Sequence, residues 1–334
     1  MYEEHPFAPY IRILGKGKRG SRGLTEEESY DSMRMILRNE IEECQLGAFL
    51  MLLRVKEETP EEVAGFVRAI DETLTIPSNA PTVALTWSSY AGKRRHLPWF
   101  ILSALLLAEN KITIFMHGAE GHTAGRVYTR ELLSQFGLSI NESFEETCKA
   151  LNEHHFAYLP LEFMSPIMHR IIQMRPLLGL RSPVHTIARM LNPFKAECEL
   201  QGIFHPSYRD THQHAALLLG QKRLSVFKGE GGEIERNPDQ KCLVKSVFDG
   251  ELSEEEWPAL FTGPRHLKDE TMDPQRMLKV WQGNDSDEYA IASITGTAAI
   301  ALKLTGHAKN IEEAQALAES MWHEREKQKF QHVA

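Results

Sequence analysis

The apolar and polar positions follow two patterns along the chain. Over the first 75 residues they recur at helical spacing. Thr25-Glu26-Glu27-Glu28 has the spacing of a capping box, in which hydroxyl and carboxylate satisfy orphan amides at a helix start. The helix it opens runs through Met33, Ile36 and Leu37. A second apolar helix covers about Cys44 to Val55, with Cys44 expected to pack inside. A third begins at Thr59-Pro60-Glu61-Glu62 and shows the stripe Val63, Phe66, Val67 and Ile70.

After Pro77 short apolar runs alternate with longer helical stretches. Strands are predicted at Val83–Leu85, Ile112–Phe115, Phe156–Leu159, Leu200–Phe204, Leu224–Phe227 and Leu243–Phe248. Helices are predicted over Pro98–Ala108, Val127–Phe136, Tyr208–Leu219, Asp287–Leu304 and Ile311–Lys329. The stretch from Glu251 to Asp273 reads as acidic and irregular. The fold class is therefore α/β. A small all-helical domain joins a larger α/β domain with a mostly parallel central sheet and helices on its faces. Residues 1–77 form the helical domain and residues 78–162 and 195–334 the α/β domain.

Composition changes this picture little. At 334 residues the chain suggests about two domains, and 42% hydrophobic with 25% charged residues fits a globular protein. The longest nearly apolar run, Leu97 to Ala108, is too short to span a membrane, so no membrane partner is expected. The N-terminus is acidic and polar, unlike a secretory signal. Four scattered cysteines without a CxxC pair fit reduced thiols and a cytoplasmic location rather than a zinc site. His205, His212 and His214 are close in sequence, but an i, i+2 pair diverges on a helix, which argues against a metal site.

Charge changes it more. The formal net charge is −8, yet residues 12–22, 90–96 and 163–195 contain 13 basic residues and no acid. Such asymmetry points to a polyanion site on an otherwise acidic protein, against the plain alternative of solvated faces scattered over the surface. The candidates are Arg12, Lys16, Lys18, Arg19 and Arg22 on a glycine-rich arm, Lys93, Arg94 and Arg95, and then Arg170, Arg175, Arg181 and Arg189.

Several motifs are familiar. Leu46-Gly47-Ala48-Phe49-Leu50, Arg54 to Phe66, His117-Gly118, Leu133 to Leu138, Leu178-Gly179-Leu180-Arg181 and Asn192-Pro193 resemble, in order, segments of the anthranilate phosphoribosyltransferase family. That resemblance implies the class III phosphoribosyltransferase fold, shared with pyrimidine nucleoside phosphorylases. It also implies that residues 163–194 join the helical domain in space. The family's first phosphate loop is Gly-Thr-Gly-Gly-Asp; here Thr86-Trp87-Ser88-Ser89-Tyr90-Ala91-Gly92-Lys93-Arg94-Arg95 stands in its place. The family's magnesium-holding Asp-Glu pair falls near Gly231-Gly232-Glu233-Ile234-Glu235, where adjacent carboxylates are not reproduced.

Ser89-Tyr90-Ala91-Gly92-Lys93-Arg94-Arg95, Gly15-Lys16-Gly17-Lys18 and Arg181 to Ala188 resemble a divergent branch described as nucleic-acid-binding homodimers without transferase activity. The expectation is thus a DNA- or RNA-binding protein of low sequence specificity, without cofactor, dimeric through its helical domain. Its phosphate groove would be lined by the basic residues above with Ser89, Tyr90, His117 and Gly118. Trp87, Tyr90 or Trp99 would stack on unpaired bases unless they pack in the core. The alternative is a phosphoribosyltransferase that uses magnesium with phosphoribosyl diphosphate and an anthranilate-like acceptor, assisted by His117, His155 or His185. A protein-binding scaffold is the third reading.

Overall fold

The computed structural model of the protein describes residues 3–17, 19–121 and 123–330. Lys18 lies outside them. The chain opens with four helices, α1 (Ala8–Gly15), α2 (Glu26–Leu37), α3 (Glu43–Lys56) and α4 (Pro60–Asp71). Both predicted capping boxes form, at Thr25 with Glu28 and at Thr59 with Glu62. Helices α2 and α4 pack face to face, and Gly65 makes this possible: a Cβ there would lie 2.2 Å from the Glu26 carbonyl. Helix α1 corrects the expectation of a flexible arm. Arg12 and Gly15 are helical, because Pro9 starts the helix and buried Phe7 packs edge-on against Phe49 at 5.1 Å.

The α/β part runs β1 (Leu85–Ser89), α5 (Phe100–Glu109), β2 (Ile114–Gly118), α6 (Thr129–Gln135), α7 (Phe144–His154) and β3 (Phe156–Pro160). Short helices α8 (Leu161–Met164), α9 (Pro166–Gln173), α10 (Arg175–Leu178) and α11 (Val184–Ile187) return to the helical domain. There follow β4 (Cys198–Ile203), α12 (Tyr208–Leu218), β5 (Arg223–Lys228), β6 (Cys242–Phe248) and β7 (Glu251–Trp257). Helices α13 (Gln275–Gln282), α14 (Glu288–Leu304) and α15 (Ile311–Glu324) close the chain. No helix among the described residues is long and apolar enough to cross a membrane.

The seven strands lie in the order β3-β2-β1-β4-β5-β6-β7, with β1 to β5 parallel and β6 and β7 antiparallel. Residues alternate between the two faces with the period of two that a pleat dictates. Leu85, Trp87, Ile114, Met116, Cys198 and Leu200 enter the core shared with α5 and α14. Phe115, Ala157, Leu159 and Val226 enter a second core, which also takes in α4 and α11. Helices α11 and α12 both pack on α4.

Two expectations are corrected. The stretch after Glu251 begins as strand β7, whose glutamates pair with lysines: Glu256 with Lys241 at 2.6 Å, Glu254 with Lys245 at 3.4 Å and Glu255 with Lys303 at 3.0 Å. Charge on an edge strand deters pairing with other chains, which is why the strand lacks an apolar signature. Cys44 is exposed, because the buried stripe of α3 is Leu46, Phe49, Leu50 and Leu53, and Cys44 falls off it.

Candidate anion site at the domain cleft

The strand order reverses direction at β1. Chain connections run from β1 outward through β2 to β3, then return across β1 to β4. In an open parallel sheet, ligands bind beyond the carboxyl ends of strands at such a switch point. The residues there are the first loop, Tyr90–Arg95 after β1, the second loop, Gly229–Glu235 after β5, and Phe204-His205 after β4.

The two loops are bonded directly to one another. Glu233 Oε1 accepts from the Ala91 and Gly92 amides at 2.5 and 2.6 Å. Glu230 accepts from the Arg94 and Arg95 amides at 3.3 and 3.0 Å. The Lys93 ammonium, only 2% exposed, lies 2.5 Å from Glu235 and 3.1 Å from Glu230. Burial alone would depress its pKa, but the two carboxylates more than offset this and hold it above the usual lysine value. Arg126 Nη1 donates to the Ala91 and Gly92 carbonyls and clamps the first loop from the other side. The second loop needs its glycines: Gly231 and Gly232 have φ of +68° and +94°, and a Cβ on Gly229 would lie 1.8 Å from the Glu233 carbonyl.

The expected aromatic stacking is excluded. Trp87, Tyr90 and Trp99 are fully buried. The Tyr90 hydroxyl pairs with His117 Nδ1 at 2.7 Å, and Ser89 Oγ with Thr129 Oγ1 at 2.7 Å. Burial drives His117 down to about 3, so at neutral pH it is an uncharged structural partner. Gly118 lets β2 approach the first loop, since a Cβ there would lie 2.0 Å from the Ser89 carbonyl. His155 sits beyond α7 and bonds Thr113, away from these loops.

Beside the loops lies a small open cleft of about 120 Å³ between the helical domain and the sheet. Arg54, Arg181, His185, Arg189, His205 and Gly231 are among its lining residues. Arg181 is held near 10 by burial first and then by Arg189, Arg126 and Arg175. Arg189 is buried too; burial lowers it, and Glu233 and Tyr90 oppose that. Among the described residues Arg126, Arg181 and Arg189 form no ion pair with a carboxylate. Below them, Glu199, Gln201 and His212 are joined by hydrogen bonds. Burial lifts Glu199 to about 8 and lowers His212 to about 3, so neither adds charge beneath the arginines at neutral pH, and Glu233 acts on Arg189 without an ion pair among the described residues.

The three acid-free stretches do not share one lining. Arg181 and Arg189 face the cleft, and Lys93 is committed to the seam beneath it. Arg94 and Arg95 are exposed. Arg170 pairs with Glu43 at 2.7 Å, and Arg175 bonds Thr123. Arg12, Lys16, Arg19 and Arg22 border a separate recess. Sequence reasoning missed Arg54 and Arg126; it considered Glu233 as a stand-in for the family's magnesium-holding pair, whereas the structure places it on the amides of the first loop.

The family resemblance implies magnesium with a diphosphate. The acids here do not suit it: Ile234 separates Glu233 from Glu235, and the ammonium of Lys93 already lies between Glu230 and Glu235.

Comparison with known proteins agrees with the architecture. Residues 8–73 match the helical bundle domain of a glycosyl transferase family, and residues 101–325 match its α/β domain. The chain belongs to this glycosyl transferase family. Within it, an Aquifex aeolicus protein described as uncharacterized is 30% identical over 70% of this chain and 72% of its own. An anthranilate phosphoribosyltransferase of Caldivirga maquilingensis is 28% identical over 89% of both chains. The anthranilate phosphoribosyltransferase structure from Thermus thermophilus superposes with a TM-score of 0.77, covering 96% of this chain and 94% of its own at 21% identity. The expected family and fold are therefore established.

Proposed function

We propose that the cleft binds the phosphate of a phosphoribosyl compound and that the chain is a transferase of the phosphoribosyl class, working from its arginine wall. The observation that carries this reading is the cluster of Arg126, Arg181 and Arg189, close enough to depress Arg181 and without a carboxylate partner among the described residues. Positive charge held in a half-buried cleft at a strand switch point, only partly offset by Glu233 at Arg189, favours the entry of an anion. Arginine suits a phosphate group because its planar fork holds two oxygens. During transfer the same groups would stabilise the charge that develops on the departing diphosphate. Relatives bearing the anthranilate phosphoribosyltransferase name, similar along nearly the whole chain, favour this over a purely structural role.

The test is calorimetric titration with phosphoribosyl diphosphate, with and without magnesium, beside an assay of diphosphate release with anthranilate. Binding in the wild type that is lost in R181A is expected. A wild type that takes up no ligand at millimolar concentration overturns the reading.

A nucleic-acid role is the second reading. It is favoured by the recess of Arg12, Lys16, Arg19 and Arg22 and by the exposed pair Arg94 and Arg95. A labelled oligonucleotide tests it: log affinity should fall against log salt by about 0.9 per phosphate neutralised on duplex DNA. A homodimer through the helical domain is part of the same proposal, and Val55 on α3 offers an exposed apolar side chain for it. Light scattering measures the assembly.

A further inference from the structure

The seam between the loops holds an anion and a cation of the chain's own. Glu233 is fully buried, and one of its oxygens takes both the Ala91 and Gly92 amides at short range. Two adjacent backbone amides directed at one oxygen form a cradle for an oxyanion. Lys93 completes the arrangement as the cation between Glu230 and Glu235.

We infer that Glu233 is a tethered anion that fills the first loop's amide cradle, so that a diphosphate is excluded from the loop until the Glu233 side chain leaves.

This deepens the reading of the cleft as a phosphate site and rests on it only for the identity of the natural ligand. Three features make the occupancy a latch. First, the other carboxylate oxygen of Glu233 is buried with no hydrogen-bond partner among the described residues, so the carboxylate satisfies the loop but not itself. Second, the turn that carries it packs closely against Arg126 and Arg189. A Cβ on Gly231 would lie 2.6 Å from Arg126 Nη1, and one on Gly232 3.1 Å from Arg189 Nη2. Third, Arg126 grips the carbonyls of Ala91 and Gly92, whose amides Glu233 holds. An anion that draws Arg126 and Arg189 toward the cleft therefore loosens both sides of the seam. With Glu233 in place, the ligand the cleft accepts is a single phosphate group on the arginine wall; with Glu233 withdrawn, a second phosphate fits the loop.

Inorganic phosphate and pyrophosphate are the probes, titrated at constant ionic strength into wild type, E233A and R181A. E233A is expected to bind pyrophosphate at least tenfold more tightly than wild type, while its affinity for inorganic phosphate changes little. A folded E233A with wild-type affinity for pyrophosphate overturns the inference. If E233A does not fold, E233Q keeps an acceptor for the two amides and removes the charge. Pyrophosphate should then shift the Ala91 and Gly92 amide resonances in E233Q and leave them in place in wild type. Unmoved resonances in E233Q, or equal movement in wild type, overturn it as well. The outcomes separate the two ideas. Loss of phosphate binding in R181A with no gain in E233A removes the latch and keeps the cleft. A gain in E233A with R181A unchanged does the reverse.

Discussion

At the seam between the first and second loops, three carboxylates meet one ammonium and four backbone amides. Across the turn of Gly231 and Gly232, arginines crowd a cleft in which, among the described residues, no carboxylate forms an ion pair with Arg126, Arg181 or Arg189. The first region has solved its electrostatics within the fold, and its charges serve to hold two loops together. The second leaves its electrostatics open, and its charges raise one another's free energy. Charge count alone does not separate them, since Lys93 and Arg181 both fall in acid-free stretches. What separates them is whether a distant part of the chain supplies an acid.

The contrast breaks most visibly at Lys93. K93A leaves Glu235 and Glu230 buried or half-buried without their cation. Removing one partner of a buried pair typically costs about 3–5 kcal/mol, and urea denaturation should read a loss of that order. The double variant K93M/E235Q, which removes both charges, should recover most of it. A K93A variant as stable as wild type would show that the seam is not a structural lock.

Glu199 gives the next largest effect. Its carboxyl is raised by burial to about 8 from an ordinary value of 4.5. The folded state therefore holds a proton that the unfolded state has released between about pH 4.5 and 8, so this group makes stability fall as pH rises through that window. E199Q should match wild type at pH 4 and exceed it at pH 8 by a few kcal/mol at most. Unfolding free energies of the two proteins across that range check it. Parallel curves would mean that burial does not hold the proton on Glu199 and that a charge lies beneath the cleft.

R181A follows, and its two readouts should move apart. Hydrogen bonds to charged groups are worth about 1.5–3 kcal/mol, so affinity for a phosphate-bearing ligand should fall roughly ten- to hundredfold. Stability should hold or rise slightly, because Arg189, Arg126 and Arg175 lose a repulsive neighbour. K93A and R181A thus form a pair: one damages the fold, the other the site. A thermal melt beside a phosphate titration separates them.

How much of this was legible in the sequence follows the range of the interactions. The capping boxes at Thr25 and Thr59 are local, three residues apart, and both form as written. The buried parallel strands are continuous apolar runs, so their presence and order could be read, but their ends slid by a residue or more. The expected strand at Val83 begins at Leu85 and runs on through polar Ser89, because the parallel ladder with β2 decides where pairing stops. Strand β7 gave no apolar signal because its outward charges suit an edge. The switch-point location of the site follows from topology, which the family resemblance supplied. The seam was not legible: Glu233 and the Ala91 amide are 142 positions apart, and no local pattern reports that a lysine in a basic run will meet two glutamates from another loop.

Arg94 and Arg95 produce the smallest expected effect and the finest distinction. Their backbone amides belong to the seam, through Glu230, while their side chains are exposed. They thus stand on the boundary between the two regions. R94E/R95E keeps the amides, so stability should change by less than about 0.5 kcal/mol, as for most surface substitutions. Because neither residue lines the cleft, affinity for phosphoribosyl diphosphate should stay within about twofold of wild type. On the nucleic-acid reading the same variant should bind an oligonucleotide more weakly and lower the salt slope by about one for each phosphate it no longer neutralises. Both quantities come from one titration series at several salt concentrations. An unchanged slope confines the working charge to the arginine wall, whereas a reduced one extends it from the cleft onto the outer face of the first loop.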